Sequence, residues 1–206
     1  MARIITPTYF CIIDFESTTT CSNKHSSDSK KQWVKEITAI SSILCKYTNN
    51  TIKELSRFHK FCKPLQVNDC EIDYADRFPV VFYQYNKWIN EYTDATMLRN
   101  DIIFVTYESC THSANKTLLL AECNRWNIYT PHLYSKYINI NTIVLNNLHI
   151  DANSLQSIMM NLGLILIFVK DIHQNGISNC TNMKNIFNEL MHRCGLNYRD
   201  LIETMV

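Results

Sequence analysis

Glycine is almost absent from this chain: there are three in 206 residues, at 163, 176 and 195. A Walker phosphate loop or a Gly-x-Gly-x-x-Gly dinucleotide turn needs glycines clustered within a few positions, so both are excluded. Net charge is equally slight, +1 at pH 7. That argues against a strongly basic nucleic-acid binder and leaves room for a local basic patch. Long apolar runs are missing too. The most hydrophobic stretch, "LGLILIFV" at 162–169, is far shorter than the ~20 residues a bilayer-spanning helix requires, so no membrane contact is expected. The opening "MARIITPTYF" turns polar too soon for a secretory signal. No Cys-x-x-Cys pair occurs.

The cysteines that are present point the same way. Cys11, Cys21, Cys45, Cys62, Cys70, Cys110, Cys123, Cys180 and Cys194 are odd in number and scattered in spacing. They read as reduced thiols in an intracellular protein, cytoplasmic or nuclear. His192-Arg193-Cys194, near Cys180, lacks the paired, tightly spaced ligands of structural zinc. Buried, inert thiols are the expectation.

The length suits one domain over 1–206, and a hydrophobic content of 46% can fill its core. Residues 8–15 read as a buried strand. The polar run 17–33 reads as a flexible loop without periodicity. Strands are expected at 36–47 and 51–64, joined by the turn "TNN" as an antiparallel hairpin. From Pro79, a helix places Val80, Phe82, Tyr83, Trp88 and Ile89 at helical spacing. A strand at 101–108, a helix at 113–126, a strand in "YSKYINI" at 134–140 and a helix closing at Gly163 follow. A long helix through 180–194 and a tail helix over 196–206 complete the chain. A leading antiparallel group followed by β-α crossovers predicts an α/β domain on a mixed five-stranded sheet with flanking helices.

On the first strand, Asp14 and Glu16 share one face at the carboxyl end, where α/β sheets bind ligands. Two carboxylates so placed suit Mg²⁺ or Mn²⁺. Around them, "IIDFEST", "EITAISSILC" and "FHKFCKP" resemble the opening of the DEDD exonucleases (DEDDh type), nearest the histone-mRNA 3′-exonuclease and enhancer-of-RNAi branch. "YADRFPVVFYQYNKWI", "IIFVTYES", "INTIVLNN", "LQSIMMNLGL" and "IHQNGISNCTNMKNIFNEL" continue the likeness in order across roughly residues 8–194. The resemblance implies an RNase H-like fold. It also implies two divalent ions held by four carboxylates, a histidine as general base, and nucleoside monophosphates released from a 3′ end.

Departures from the family pattern fall at its chemistry. Thr111 stands where the second motif has its Asp, and Ser178 and Asn179 stand where the third has two acids, while Asn182 is retained. His173 is retained one residue further from Gly176, as a vestigial general base. Two carboxylates against two divalent cations leave about two positive charges uncompensated, so at most one weakly held Mg²⁺ or Mn²⁺ is expected. Glu108 and Asp171 are the candidate substitutes. The segment after Pro64 that grips the terminal nucleotide in the family is shortened here to "LQVNDCEID".

Three function classes follow. The first is a degenerate exonuclease-like module that binds or scaffolds in an RNA-related complex, with a protein partner. One helix face cannot bury Tyr83, Tyr85 and Trp88 together, which leaves an aromatic for docking. The second is an RNA-end binder that does not cleave, using Arg57, His59, Lys60 and Lys63 interleaved with Phe58 and Phe61. The third is an active 3′–5′ exoribonuclease with a rearranged metal site.

Overall fold

The computed structural model describes residues 9–22, 32–48, 51–65, 74–93, 102–108, 114–150, 153–168, 175–196 and 200–201. Strands β1 (Tyr9–Ser22), β2 (Gln32–Thr48) and β3 (Thr51–Phe61) come first. Helix α1 (Phe78–Tyr92), strand β4 (Ile102–Thr106) and helix α2 (Ala114–Arg125) follow. A 3₁₀ turn (His132–Ser135), β5 (Tyr137–Asn139), α3 (Ile140–Leu148), α4 (Leu155–Asn161) and α5 (Asn175–Arg193) complete the described elements. The five strands form one sheet in the order β3-β2-β1-β4-β5. Pairing is antiparallel between β1, β2 and β3, and parallel between β1, β4 and β5. This is the mixed α/β sheet expected from the element order.

Side chains on β1 alternate between two cores. Tyr9, Cys11, Ile13 and Phe15 pack under α1, α2 and the 3₁₀ turn, while Phe10 and Ile12 pack under α3, α4 and α5. Both faces are covered, which is why the strand reads as an unbroken apolar run. The alternation also fixes the two acids: Asp14 and Glu16 continue the even-numbered face, towards α5.

Several expectations need correction. The run 17–33 was expected to be a loop, yet Ser17–Ser22 and Gln32–Ile37 pair as a two-stranded ribbon, after a bulge between Glu16 and Ser17. β4 reaches only Tyr9–Ile12 of β1 and β3 pairs with β2 from Ala39 onward, so this ribbon outruns its neighbouring strands, and its polar sequence carries no strand alternation. The strand expected at 134–140 shortens to three residues. Asn139 caps α3 by accepting the Asn141 N–H, and the chain turns helical at Ile140. On α1 the buried stripe is Phe78, Val81, Phe82, Tyr85, Trp88 and Ile89, with Val80 and Tyr83 outside it. The helix begins with Phe78 already inside, which rotates the face. Gly163 does end α4 in a left-handed conformation, with Leu164 N–H bonded to Met159 O. Leu196 is not helical; of the expected tail helix, Asp200–Leu201 is helical and the remainder lies outside the described residues. Among the described residues, no helix is long and apolar enough to cross a membrane.

Candidate functional site

Three strands bring one residue each into a row. Asp14 of β1 pairs in register with Ser41 of β2, and Ser41 with His59 of β3. Residues directly opposite in a ladder share a face, so Asp14, Ser41 and His59 all look towards α5, with Glu16 one step along. Ser41 Oγ lies 2.8 Å from His59 Nδ1. Nε2 of His59 is buried with no hydrogen-bond partner among the described residues.

The first turn of α5 lies directly on this row. Gly176 N–H donates to Glu16 Oε1 at 2.8 Å, and Asn179 Nδ2 donates to Asp14 Oδ2 at 3.0 Å. The Cys180 thiol donates to Ser41 O at 3.3 Å. The approach is close enough to demand glycine. A Cβ at 176 would stand 2.2 Å from Ser41 Oγ and 3.0 Å from Glu16 Oε1. Gly176 N–H is one of the donors that a helix start leaves unsatisfied, and a carboxylate there also complements the helix dipole. Glu16 is therefore the cap of α5. Among the described residues, α5 runs from Asn175, five residues before the start its own sequence suggested, and Ser178 and Asn179 sit inside it.

Burial raises the Asp14 carboxyl to about 6, against the lowering hydrogen bond from Asn179 and with the Glu16 charge adding to the rise. Burial likewise pushes the Cys180 thiol well above its usual value, with the Asp14 charge adding. Cys11, Cys45, Cys62, Cys123 and Cys180 are all buried free thiols, and Cys194 is half-buried.

Glu108, the first candidate substitute acid, is 5% exposed just beyond β4. Its Oε1 accepts the Asn115 N–H at 2.9 Å, so it caps the start of α2. Its backbone is held by Asn139 and Asn141: the Glu108 N–H donates to Asn139 Oδ1, and its carbonyl accepts from both side-chain amides. Thr111, Asp171 and His173 lie outside the described residues.

Strand alternation divides the basic stripe of β3. Arg57 and His59 face α5, whereas Lys60 faces α1 and donates to Gln84 Oε1 at 2.7 Å. Arg57 is held by Glu54 through Nε at 2.6 Å and Nη2 at 3.2 Å, with Thr181 Oγ1 at 3.5 Å from Nη1. Lys184 of α5 reaches the same Glu54 at 2.6 Å. Lys63 sits beyond the strand, bridged to Arg77, with its N–H on Asp76 O.

The oxygens and nitrogens here test the fit of a two-ion centre. Asp14 and Glu16 each already accept an N–H from α5, and the amide nitrogen of Asn179 presents positive hydrogens where a cation would need an anion. Among the described residues, no group of three or more His, Cys, Asp or Glu side chains is placed to hold a metal. Among the described residues, this donor set falls short of a pair of divalent ions. Ser41, Gly176 and the inward role of His59 escaped sequence reasoning. The only available signal was the β1-β2-β3 register, which a sequence does not print.

No family model and no curated protein matches the chain. Solved structures do. One is cell-death related nuclease 4 (CRN-4), with a TM-score of 0.71 at 20% identity over 91% of this chain and 65% of that one. Another is the nuclease domain of 3′hExo, a DEDDh family member bound to rAMP, with a TM-score of 0.68 at 22% identity over 95% and 98%. A third is a 3′-exonuclease recognising the 3′ end of a histone mRNA stem-loop, with a TM-score of 0.67 at 22% identity over 92% and 66%. The chain spans about two thirds of the length of the first and third. These likenesses show the fold: a mixed five-stranded sheet with flanking helices, the RNase H-like exonuclease fold.

Proposed function

We propose that this protein is a catalytically degenerate 3′–5′ exonuclease-like domain, acting as a binding module in an RNA-related complex without hydrolysing nucleic acid. The observation that carries the reading is the pair of hydrogen bonds from α5, Asn179 Nδ2 to Asp14 Oδ2 at 3.0 Å and Gly176 N–H to Glu16 Oε1 at 2.8 Å. In-line displacement by two metals needs carboxylate oxygens turned to the cations that activate the nucleophile and steady the leaving oxygen. Here two of those oxygens are turned to N–H groups of the fold. One weakly held Mg²⁺ or Mn²⁺ is the most the remaining oxygens would support. The row of Asp14, Ser41 and His59 marks the face on which such a fold would hold a strand end. A protein or an RNA partner is its expected occupant.

The test is a cleavage assay on 5′-labelled single-stranded and stem-loop RNA, in Mg²⁺ and then Mn²⁺, with Asp14→Asn/Glu16→Gln as the contamination control. No shortening from the 3′ end at protein excess is expected, with folding checked by circular dichroism. A ladder that disappears in the double variant would overturn the reading and assign the missing ligands to other acids, Glu108 or Asp171. Anisotropy of the same RNAs across a salt series then separates phosphate contact, which weakens steeply with salt, from apolar docking, which does not.

A further inference from the structure

On the α1 face of the sheet, opposite the Asp14–Glu16 row, lies a cleft of about 410 Å³. Pro79, Phe82, Tyr83 and Asn90 of α1 form one wall, and Tyr129 and Pro131 stand on the other. We propose that this cleft docks a proline-rich peptide in the polyproline II conformation. The inference goes beyond the reading of the acid pair and does not depend on it.

The floor of the cleft is fixed. Phe82 is buried, stacks on Phe78 at 5.2 Å between centroids, and tilts against Tyr134 at 5.5 Å. Asn86 is locked between the Phe82 carbonyl, to which its Nδ2 donates at 2.7 Å, and the Tyr134 hydroxyl, which donates to its Oδ1 at 3.1 Å. The walls differ from the floor: Tyr83 is 71% and Tyr129 83% exposed. Two large rings stand in the open beside this floor, and each has only two side-chain torsions to fix on engagement. They offer flat faces to other rings.

Charge selects among ring-bearing partners. Among the described residues, none that lines the cleft is charged. A nucleic acid would bring a phosphate with every base and find no cation in the lining, and a basic or acidic peptide would find no counter-charge. A proline-rich strand is neutral, and its rings match the tyrosine faces. Its backbone carbonyls make no internal hydrogen bonds, so they need donors from outside. The Asn90 amide, exposed on the rim, supplies N–H groups of that kind. Aromatic grooves that read such strands use this combination of rings and isolated donors.

The experiment is an NMR titration of the full chain with decaproline, beside a Gly-Ser decapeptide and an octaadenylate RNA. Saturable shifts at α1 and at 128–133 are expected for decaproline, with none for the Gly-Ser peptide. Tyr83→Ala and Tyr129→Ala, both exposed and so compatible with folding, should each weaken binding at least ~5-fold, as hot-spot aromatics do. Met160→Ser, at an exposed position on α4, should leave binding unchanged. Absence of saturation by about 5 mM, well short of even weak specific affinity, would overturn the proposal. So would affinity indifferent to both tyrosines. Octaadenylate shifting the same residues, with loss in Tyr129→Ala, would overturn it in favour of a nucleobase site.

Discussion

Asn179 holds Asp14: the side-chain amide of one donates to Oδ2 of the other across 3.0 Å, between the first turn of α5 and the end of the apolar stretch of β1. In the DEDDh pattern that the sequence resembles, the position matched by Asn179 is an acid. Asn179→Asp would replace this donor with a third carboxylate beside Asp14 and Glu16. The variant is expected to lose about 2–3 kcal/mol in metal-free buffer at pH 8, from the lost hydrogen bond and like-charge repulsion. Mn²⁺ should restore part of that loss. Thermal melts with EDTA and with Mn²⁺ check it; equal melting temperatures in EDTA would count against the Asn179–Asp14 bond as a stabilising contact.

The raised Asp14 carboxyl sets a pH dependence of definite sign. Its folded value, about 6, lies above the unfolded value, so the folded state binds the proton more tightly. Stability from this group is greatest below about pH 4 and falls as pH rises through 6. A shift of two units is worth at most about 3 kcal/mol. Asp14→Asn should therefore stabilise the protein by about 1–3 kcal/mol at pH 7.5 and by little at pH 4. Urea denaturation of both proteins at the two pH values measures the difference; an equal effect at both would contradict it.

A Cβ added at Gly176 would strike the Ser41 Oγ, so a methyl group has no room there. Gly176→Ala should cost about 2–4 kcal/mol by overpacking. Ser41→Gly removes both the Oγ and the Cβ that the methyl would strike. The double variant should then be less unstable than the sum of the two singles, a coupling of about 1 kcal/mol or more. Additive losses in chemical denaturation would show that the two positions do not touch.

A third contact ties the β1–β2 ribbon to α2. Arg125 donates to Glu122 Oε2 at 2.6 Å, to Glu36 Oε1 at 3.5 Å and to Lys35 O at 2.7 Å, while both acids are almost fully buried. Glu122 also accepts from Ile37 N–H and Trp126 Nε1, and Glu36 from Leu65 N–H. Arg125→Met leaves two neighbouring buried carboxylates without their guanidinium, an expected loss of about 2–4 kcal/mol. Adding Glu122→Gln should recover part of it. A change below about 0.5 kcal/mol on the single substitution, in urea denaturation, would contradict the arrangement.

How much of this was legible in the chain itself depends on where each signal lives. The β1 core, the β2–β3 hairpin, β4 and the α4 terminus at Gly163 are local patterns, and they emerged as expected. The start of α5 did not, because "NGISN" is polar and its cap, Glu16, comes from a strand 160 positions away. The ribbon beyond Glu16 reads as a loop in the sequence because residues 17–33 are polar and carry no apolar alternation. Asp14 and Glu16 could be placed on one face from strand geometry. That His59 completes their row required the register of two further strand pairs.

The Glu16 cap has a consequence for how such chains are inherited. A residue that both serves chemistry and closes a helix answers to two selective pressures. When the chemistry goes, the architectural pressure persists. Substitution at 16 would open the start of a nineteen-residue helix, whatever the fate of catalysis. The Asp-x-Glu pair is thereby part of the scaffold as well as of the site, and a change at Glu16 registers first in how α5 is anchored.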